Sequence, residues 1–469
     1  MAREGKLFSN TLLLGVSAAA GKALSLFLLP FFTAALTPAE FGVCEILVST
    51  ALLLIPIFSM YAPQATFRFF AQGERGAVRA GAFLLCVGIS LFTLLFPLFL
   101  RITVLRPYAA VLYVFVLASL ARSFASHVLR ARGAFLLFAV QQLFCSVLTA
   151  LLQLFFLYSL HLGVKGYLWG IVLGDAITFM ILLIPIFASS VRERGVPQGL
   201  YKRMLRFALP LVPASLLWWG MSAAERYMLL YFHGERATGL YAAAARFPAL
   251  IGFATSVFLE AWHYACLQGE AEARGVRFGH AYALFSPALI ALGGVLTALS
   301  PFFASVFLSD AYADAVRLFG LLIFGAVCAG MASFLDSIYS LQLRSAASLY
   351  TSALATLFHT VFSFLLVPPL GTVGAAAAGA LGFFCLFLLR AAHTARLLHF
   401  PRYVKALISA LFLLFAAGVL FAANQLFFGT VVALFSILPL KTSLTSSAIF
   451  LFKRLRVFFL RGAKKRIEP

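Results

Sequence analysis

Residues 21–70 read GKALSLFLLPFFTAALTPAEFGVCEILVSTALLLIPIFSMYAPQATFRFF, and this stretch decides the fold class. It holds the end of one apolar run, residues 8–35, and all of the next, residues 41–66, joined by the short link LTPAEFG. A helix needs roughly 20 apolar residues to cross the hydrocarbon core of a bilayer. The stretch therefore predicts two successive transmembrane helices.

The composition of the whole chain agrees with this prediction. Of 469 residues, 63% are apolar and only 11% are charged. Soluble proteins carry about 25% charged residues, so a soluble fold is excluded and an all-α polytopic membrane protein is predicted. The six cysteines lie far apart without CxxC spacing, which favours neither a disulfide framework nor a zinc site.

Charged and Pro/Gly-rich interruptions divide the chain into about 14 candidate spans. They are residues 8–35, 41–66, 78–100, 108–130, 134–160, 166–189, 207–232, 238–263, 280–307, 313–340, 346–367, 371–396, 403–425 and 429–451. Pro439 and Lys441 interrupt the last one, so 12 or 13 spans stay open.

The basic residues predict the orientation of these spans. If the N-terminus is cytoplasmic, 26 Lys and Arg fall in inward links and tails, and five fall in outward links. Because cytoplasmic loops are enriched in Lys and Arg, both termini are expected in the cytoplasm. The net charge of +21 is explained in this way, and no nucleic-acid-binding motif accompanies it. Basic residues 453–466 are typical of a helix on an anionic inner leaflet, or of an ordinary positive stop after a span.

Two halves are predicted from a weak internal repeat. LGVKGYLWG at residues 162–170 opens span 6, and LGTVGAAAAG at residues 370–379 opens span 12. Six spans separate the partners, which indicates pseudo-symmetric halves of the same orientation. The expected parts are an N-terminal bundle (1–190), a cytoplasmic linker (191–206), a C-terminal bundle (207–396), and two further helices with a basic tail (397–469).

The charged residues inside or next to spans are the candidate site, because charge in the bilayer is costly and usually faces a cavity or a partner. The candidate substrate-binding cations are Lys22, Arg68, Arg226 and Arg246. The candidate carboxylates, either for ion coupling or as structural partners of these cations, are Glu45, Asp175, Glu225, Glu260 and Asp336. Catalytic, metal and nucleotide-binding motifs do not occur, so neither an enzyme nor a cofactor is predicted.

Two blocks carry a family resemblance. Residues 21–70, quoted above, and LPLVPASLLWWGMSAAERYMLLYFHGERATGLYAAAARFPALIGFATSVFLEAW at residues 209–262 resemble bacterial oligosaccharide and lipopolysaccharide repeat-unit flippases. These form the polysaccharide transporter family of the multidrug/oligosaccharidyl-lipid/polysaccharide (MOP) exporter superfamily. The resemblance implies two six-helix bundles around a central cavity, with two further helices in some members.

The resemblance also implies function and sites. It predicts translocation of an undecaprenyl-diphosphate-linked oligosaccharide across a bacterial cytoplasmic membrane by alternating access, with a glycan polymerase as a partner. Lys22 and Arg246 match basic positions of the family, and Glu225, Arg226 and Tyr227 match its acidic-Arg-Tyr motif, with Glu where Asp is more usual. A lipid II flippase and a cation-coupled drug extruder are the alternatives.

The orientation can be tested with reporter fusions. Fusions at Leu162 and Thr372 should report an extracytoplasmic position, and fusions at Gly195 and His399 a cytoplasmic one, because the basic residues flank the latter pair. A cytoplasmic signal at Leu162 would contradict the orientation of the first half.

Overall fold

The structure, a computed structural model, describes residues 21, 24–74, 76–99, 101, 104–188, 195–267, 274–341, 345–395 and 404–440. These residues are almost entirely helical and form no β-strand, which confirms the predicted all-α class. The α-helices are α1 (Leu29–Ala35), α2 (Pro38–Ser59), α3 (Ala62–Ala71), α4 (Ala77–Phe99), α5 (Ala109–Ala131), α6 (Phe135–Leu154), α7 (Gly163–Ala188), α8 (Leu200–Ala208), α9 (Leu211–Ala244), α10 (Ala249–Leu267), α11 (Arg274–Ala298), α12 (Ser300–Phe307), α13 (Phe319–Leu341), α14 (Ser345–Thr394), α15 (Val404–Ala422) and α16 (Leu426–Phe435).

Length and surface chemistry identify a polytopic membrane protein. Nine helices of the described ranges are long and apolar enough to cross a bilayer. Their outward side chains are large and apolar, as at Leu94 (75% exposed) and Phe187 (81% exposed). Such exposure costs free energy in water and none in lipid. The last predicted span is described only up to residue 440, where α16 ends at Phe435 and a 3-10 turn holds Pro439.

The chain divides into two compact units. Unit 1 comprises Met1–Arg246, Ser305–Ala315 and Ser352–Gly379. Unit 2 comprises Phe247–Ala304, Val316–Thr351 and Ala380–Pro469. The bundles expected at residues 1–190 and 207–396 stay a prediction.

Two long helices of the chain are bent at glycines with positive φ. Gly234 in α9 has φ 79° and Gly371 in α14 has φ 56°, a region that costs glycine nothing. In α9 the two arms fold back on each other, since the Thr238 hydroxyl donates to the carbonyl oxygen of Arg226 at 3.5 Å. The bend at Gly234 lies in the link predicted at residues 233–237, and the bend at Gly371 directly follows the link predicted at residues 368–370. Predicted span 8 is further broken at residues 245–248, where Pro248 has no N–H to donate.

Unit 1 is held together by the crossing of α2 and α9. Thr37, whose backbone is extended, precedes α2 and forms a capping box with Glu40 that stabilises the start of the helix. One turn further, Gly42 of α2 meets Gly239 of α9 so closely that backbone atoms touch backbone atoms. Small residues allow such an approach, which gains dispersion contacts that lipid cannot offer as well. The crossing places the polar residues of both helices side by side.

Unit 2 has an aromatic core of its own. The ring of Phe334 on α13 lies 5.5 Å from the rings of Trp262 and Phe285 and 5.7 Å from that of Tyr282. Aromatic pairs at these distances add roughly 0.5–1.5 kcal/mol each beyond the area that they bury.

The helix crossing can be tested with two glycines of the same helix. A Cβ at Gly239 would overlap the carbonyl oxygen of Pro38, whereas a Cβ at Gly220 would meet only the Thr356 methyl group at 3.5 Å. Gly239→Ala should lower the free energy of unfolding by about 1–3 kcal/mol or more, as overpacking does. Gly220→Ala, the matched control, should leave the thermal unfolding midpoint in detergent unchanged or higher. Equal midpoints for both variants would contradict the close crossing.

Candidate functional site

A polar cavity of about 330 Å³ lies inside unit 1. Its wall is formed by residues of the segment 21–28, by Phe32 of α1, by residues of α5, α6 and α7, and by Arg246 just after α9. The polar side chains that line it include Arg122, Gln142, Ser146, Gln153, Asp175 and Arg246. Leu24, Leu28 and Phe32 supply an apolar side. The size is that of a small-molecule pocket, and the wall mixes apolar surface with a few polar groups, as binding sites do.

One end of this cavity is built around Asp175 of α7. Its Oδ1 accepts a hydrogen bond from Nε of Arg122 at 2.6 Å, and its Oδ2 accepts one from the hydroxyl of Ser119. Arg122 in turn donates from Nη1 to Oε1 of Gln142 at 2.8 Å. The carboxylate is only 6% exposed, so the arginine and the hydroxyl replace its lost hydration. Asp175 is thus paired and does not offer an open cation site.

A second pair stands between α2 and the end of α9. Nη2 of Arg246 donates to Oε1 of Glu45, whose side chain is 5% exposed. The arginine side chain keeps 26% exposure and lies beside Tyr167 at the cavity wall. Arg246 therefore lines the cavity and at the same time neutralises Glu45.

Arg226 of α9 differs from these two arginines. Its Nη1 donates to the hydroxyl of Ser49 at 3.1 Å, while its buried Nε has no hydrogen-bond partner among the described residues. Over the same ranges it forms no salt bridge. Trp219, whose indole N–H donates to the carbonyl of Ser49 at 2.9 Å, and Tyr227 hold this part of α9 on α2. Arg226 is thus a fixed cation whose charge is not matched by a described carboxylate.

Glu225, the neighbour of Arg226, is directed into unit 1. Its Oε1 lies 2.7 Å from Nε2 of His359 on α14, and the two side chains are 3% and 0% exposed. A Cβ at Gly379 would come within 2.9 Å of the same oxygen, so a larger residue there would force the carboxylate to shift. The two charged residues of the acidic-Arg-Tyr motif therefore have different partners: Glu225 contacts His359, and Arg226 contacts Ser49.

The remaining predicted residues lie elsewhere. Arg68 is exposed and its guanidinium stacks over the ring of Phe207 at 4.3 Å, away from the cavity. In unit 2, Asp336 pairs with Arg390 at 2.9 Å and accepts a hydrogen bond from Ser348 at 2.6 Å. Lys22 and the side chain of Glu260 lie outside the described residues.

The sequence analysis did not identify the basic partners of three of the predicted carboxylates. Arg122, Arg390 and His359 pair with Asp175, Asp336 and Glu225, respectively. All three lie within predicted spans, residues 108–130, 371–396 and 346–367, which was the available signal. Which acid each one meets depends on helix packing. In the described part of the chain, no group of three or more His, Cys, Asp and Glu residues is arranged to hold a metal ion.

Solved structures share this fold. An inward-facing multidrug resistance MATE family transporter of the MOP superfamily aligns with a TM-score of 0.65 at 16% identity, over 83% of this chain and 98% of its own. The lipid II flippase MurJ, in an inward closed conformation, aligns with a TM-score of 0.68 at 12% identity. The alignment covers 96% of this chain and 99% of MurJ. A third similar structure is a MOP superfamily transporter from Pyrococcus furiosus, described as having a binding pocket of reverse polarity. It aligns with a TM-score of 0.57 at 15% identity, over 83% of this chain and 96% of its own. No family model and no curated protein matches the sequence. The chain therefore has the fold of MOP-superfamily transporters.

The pair Arg246–Glu45 can be tested with a double-mutant cycle. Arg246→Met leaves a buried carboxylate without its partner, which typically costs about 3–5 kcal/mol. Combining it with Glu45→Leu removes both charges and should recover most of the thermal stability measured in detergent. If the double variant is as unstable as the sum of the two single variants, the pair is not the stabilising contact.

Proposed function

We propose that this protein is a flippase that moves an undecaprenyl-diphosphate-linked oligosaccharide from the inner to the outer leaflet of a bacterial cytoplasmic membrane by alternating access. The observation that carries the proposal is Arg226, a partly buried cation within a span that forms no salt bridge among the described residues. A lipid diphosphate supplies the anion that such a position lacks. The fold shared with MOP-superfamily transporters supports a transport role.

The sign of the unmatched charge separates this proposal from drug extrusion. An extruder of cationic drugs needs a carboxylate that is available to its substrate. The acids Glu45, Asp175, Glu225 and Asp336 each hold an arginine or a histidine. Arginine, by contrast, suits phosphate oxygens, because its planar fork donates two parallel hydrogen bonds. The available charge is therefore positive.

A lipid II flippase is the second candidate, and the likeness to MurJ over 96% of this chain favours it at the level of the fold. Lipid II carries the same undecaprenyl diphosphate and differs in its headgroup. The cation at Arg226 serves either lipid equally well. An experiment has to show which of the two headgroups the protein accepts.

The substrate class can be tested by ligand protection of the purified protein against heat. A ligand stabilises only the state that it binds, so an isoprenyl-diphosphate oligosaccharide should raise the unfolding midpoint and ethidium should not. Arg226→Gln should weaken the protection by about 10- to 100-fold in ligand concentration, since a charge-assisted hydrogen bond contributes about 1.5–3 kcal/mol. Arg236→Gln, an exposed arginine of the same helix, is the matched control and should keep full protection.

Three outcomes would change the proposal. Protection by ethidium and not by the diphosphate lipid would favour the extruder. Stronger protection by lipid II than by a repeat-unit glycolipid would favour the second candidate. Equal protection of the wild type and Arg226→Gln would remove Arg226 from the site.

A further inference from the structure

A basic surface lies on α8 and the neighbouring end of α3, outside the wall of the cavity. Its side chains are Lys202, Arg203 and Arg206 of α8 and Arg68 of α3, and all four are exposed. The guanidinium of Arg68 stacks over the ring of Phe207 at 4.3 Å, which joins the two helices at this surface. These four residues are called the α8 basic surface below.

The residue pattern of α8 decides which of its sides is turned outward. Leu200, Met204 and Ala208, spaced four residues apart, are fully buried. Helix α8 contacts α3 and α4, so this buried row packs on unit 1. At 3.6 residues per turn, Lys202 and Arg206 lie on the opposite side of the helix, one turn apart. These two charges therefore point away from the protein.

Acidic residues are scarce around the α8 basic surface. In the sequence of α3, α4, the link between them and α8, Glu74 is the only Asp or Glu. Its Oε1 accepts a hydrogen bond from Nη2 of Arg203 at 2.7 Å, so Glu74 is matched by one arginine. Among the described residues, Arg68, Lys202 and Arg206 form no salt bridge. Three exposed cations are thus left for an anion from outside the chain.

The depth of α8 in the membrane follows from its contact with α4. Helix α4 carries a row of exposed apolar side chains on its lipid-facing side, namely Phe83, Val87, Leu91, Leu94 and Leu98. Phe83 begins this row, about 9 Å along the helix from Ala77. The ring of Phe83 lies 5.2 Å from that of Tyr201 of α8, and tyrosine is enriched where hydrocarbon meets the headgroups. Helix α8 therefore lies at the membrane–water interface, with its basic side at the level of the lipid phosphates.

We propose that the α8 basic surface binds the phosphate headgroup of an anionic phospholipid. The basic links predict that this end of the chain faces the cytoplasmic leaflet, whose surface potential is negative. Arg206 can donate two parallel hydrogen bonds to phosphate oxygens, and Lys202 adds a point charge. A free phosphate carries the same oxygens but has no acyl chain to cover Phe83, which is 55% exposed. The inference goes beyond transport and does not depend on which substrate the protein carries.

The experiment follows hydrogen exchange of the α8 amides in the purified full-length protein, held in an uncharged detergent and titrated with phosphatidylglycerol. A bound headgroup stabilises the folded helix, so exchange in peptides that cover residues 200–208 should slow as the lipid is added. The variant Lys202→Gln/Arg206→Gln should raise the lipid concentration for half of this effect by about 20- to 30-fold. Each basic residue near an anionic surface contributes about fivefold, and the variant removes two.

Two controls separate loss of binding from other effects of the variant. Arg106→Gln/Arg236→Gln removes the same charge from exposed arginines of links predicted on the other side of the membrane, and it should keep the wild-type concentration. Because Lys202 and Arg206 are exposed, their double variant should also keep the thermal unfolding midpoint of the protein without added lipid. If that midpoint falls, Arg206→Gln alone should still raise the lipid concentration by about fivefold.

Each result supports or overturns the inference. Equal slowing by phosphatidylcholine overturns it, because that headgroup has no net charge. Equal slowing by glycerol phosphate overturns the lipid as the source of the phosphate. Farnesyl diphosphate that acts at a lower concentration than phosphatidylglycerol assigns the surface to an isoprenyl diphosphate and overturns it as well. An unchanged concentration in the α8 variants places the lipid elsewhere. None of these results bears on Arg226, so the proposed function is tested separately.

Discussion

Charge away from water must be balanced by a partner, and this constraint explains most of the polar architecture of the protein. Asp175, Glu45 and Asp336 each sit against an arginine, and Glu225 sits against a histidine. An unpaired ion in such surroundings would cost several kcal/mol, far more than a surface ion pair contributes. The pairs therefore select which helices can lie next to each other.

Backbone proximity makes these pairs possible. Gly42 and Gly239 bring α2 against α9, and that contact places Glu45 opposite Arg246 and Ser49 opposite Arg226. The bend at Gly234 returns the chain, so that Tyr241 comes back towards Glu225. Glycine is needed at the crossing because a Cβ would not fit between the two backbones, and at the bend because the backbone there has a positive φ.

The proposed function depends on a residue that this pairing leaves over. Arg226 forms no salt bridge with a described acid, and Oε2 of Glu225 and Nδ1 of His359 have no hydrogen-bond partner among the described residues. These two features are neighbours on α9, so binding at one changes the electrostatic field at the other.

The sequence alone indicated that the chain lies in a membrane, that it is helical and roughly where its spans lie. Long apolar runs match the hydrocarbon core of a bilayer, and basic links are typical of its cytoplasmic side. The sequence also located the charged residues inside the spans, Arg226, Arg246 and Glu225 among them. Only the tertiary structure decided which of them meet. Arg122 with Asp175 and His359 with Glu225 are separated by 53 and 134 residues, and their contact depends on helix rotation and crossing. Hydropathy does not encode that rotation, since lipid-facing and core-facing sides of a membrane helix are similarly apolar.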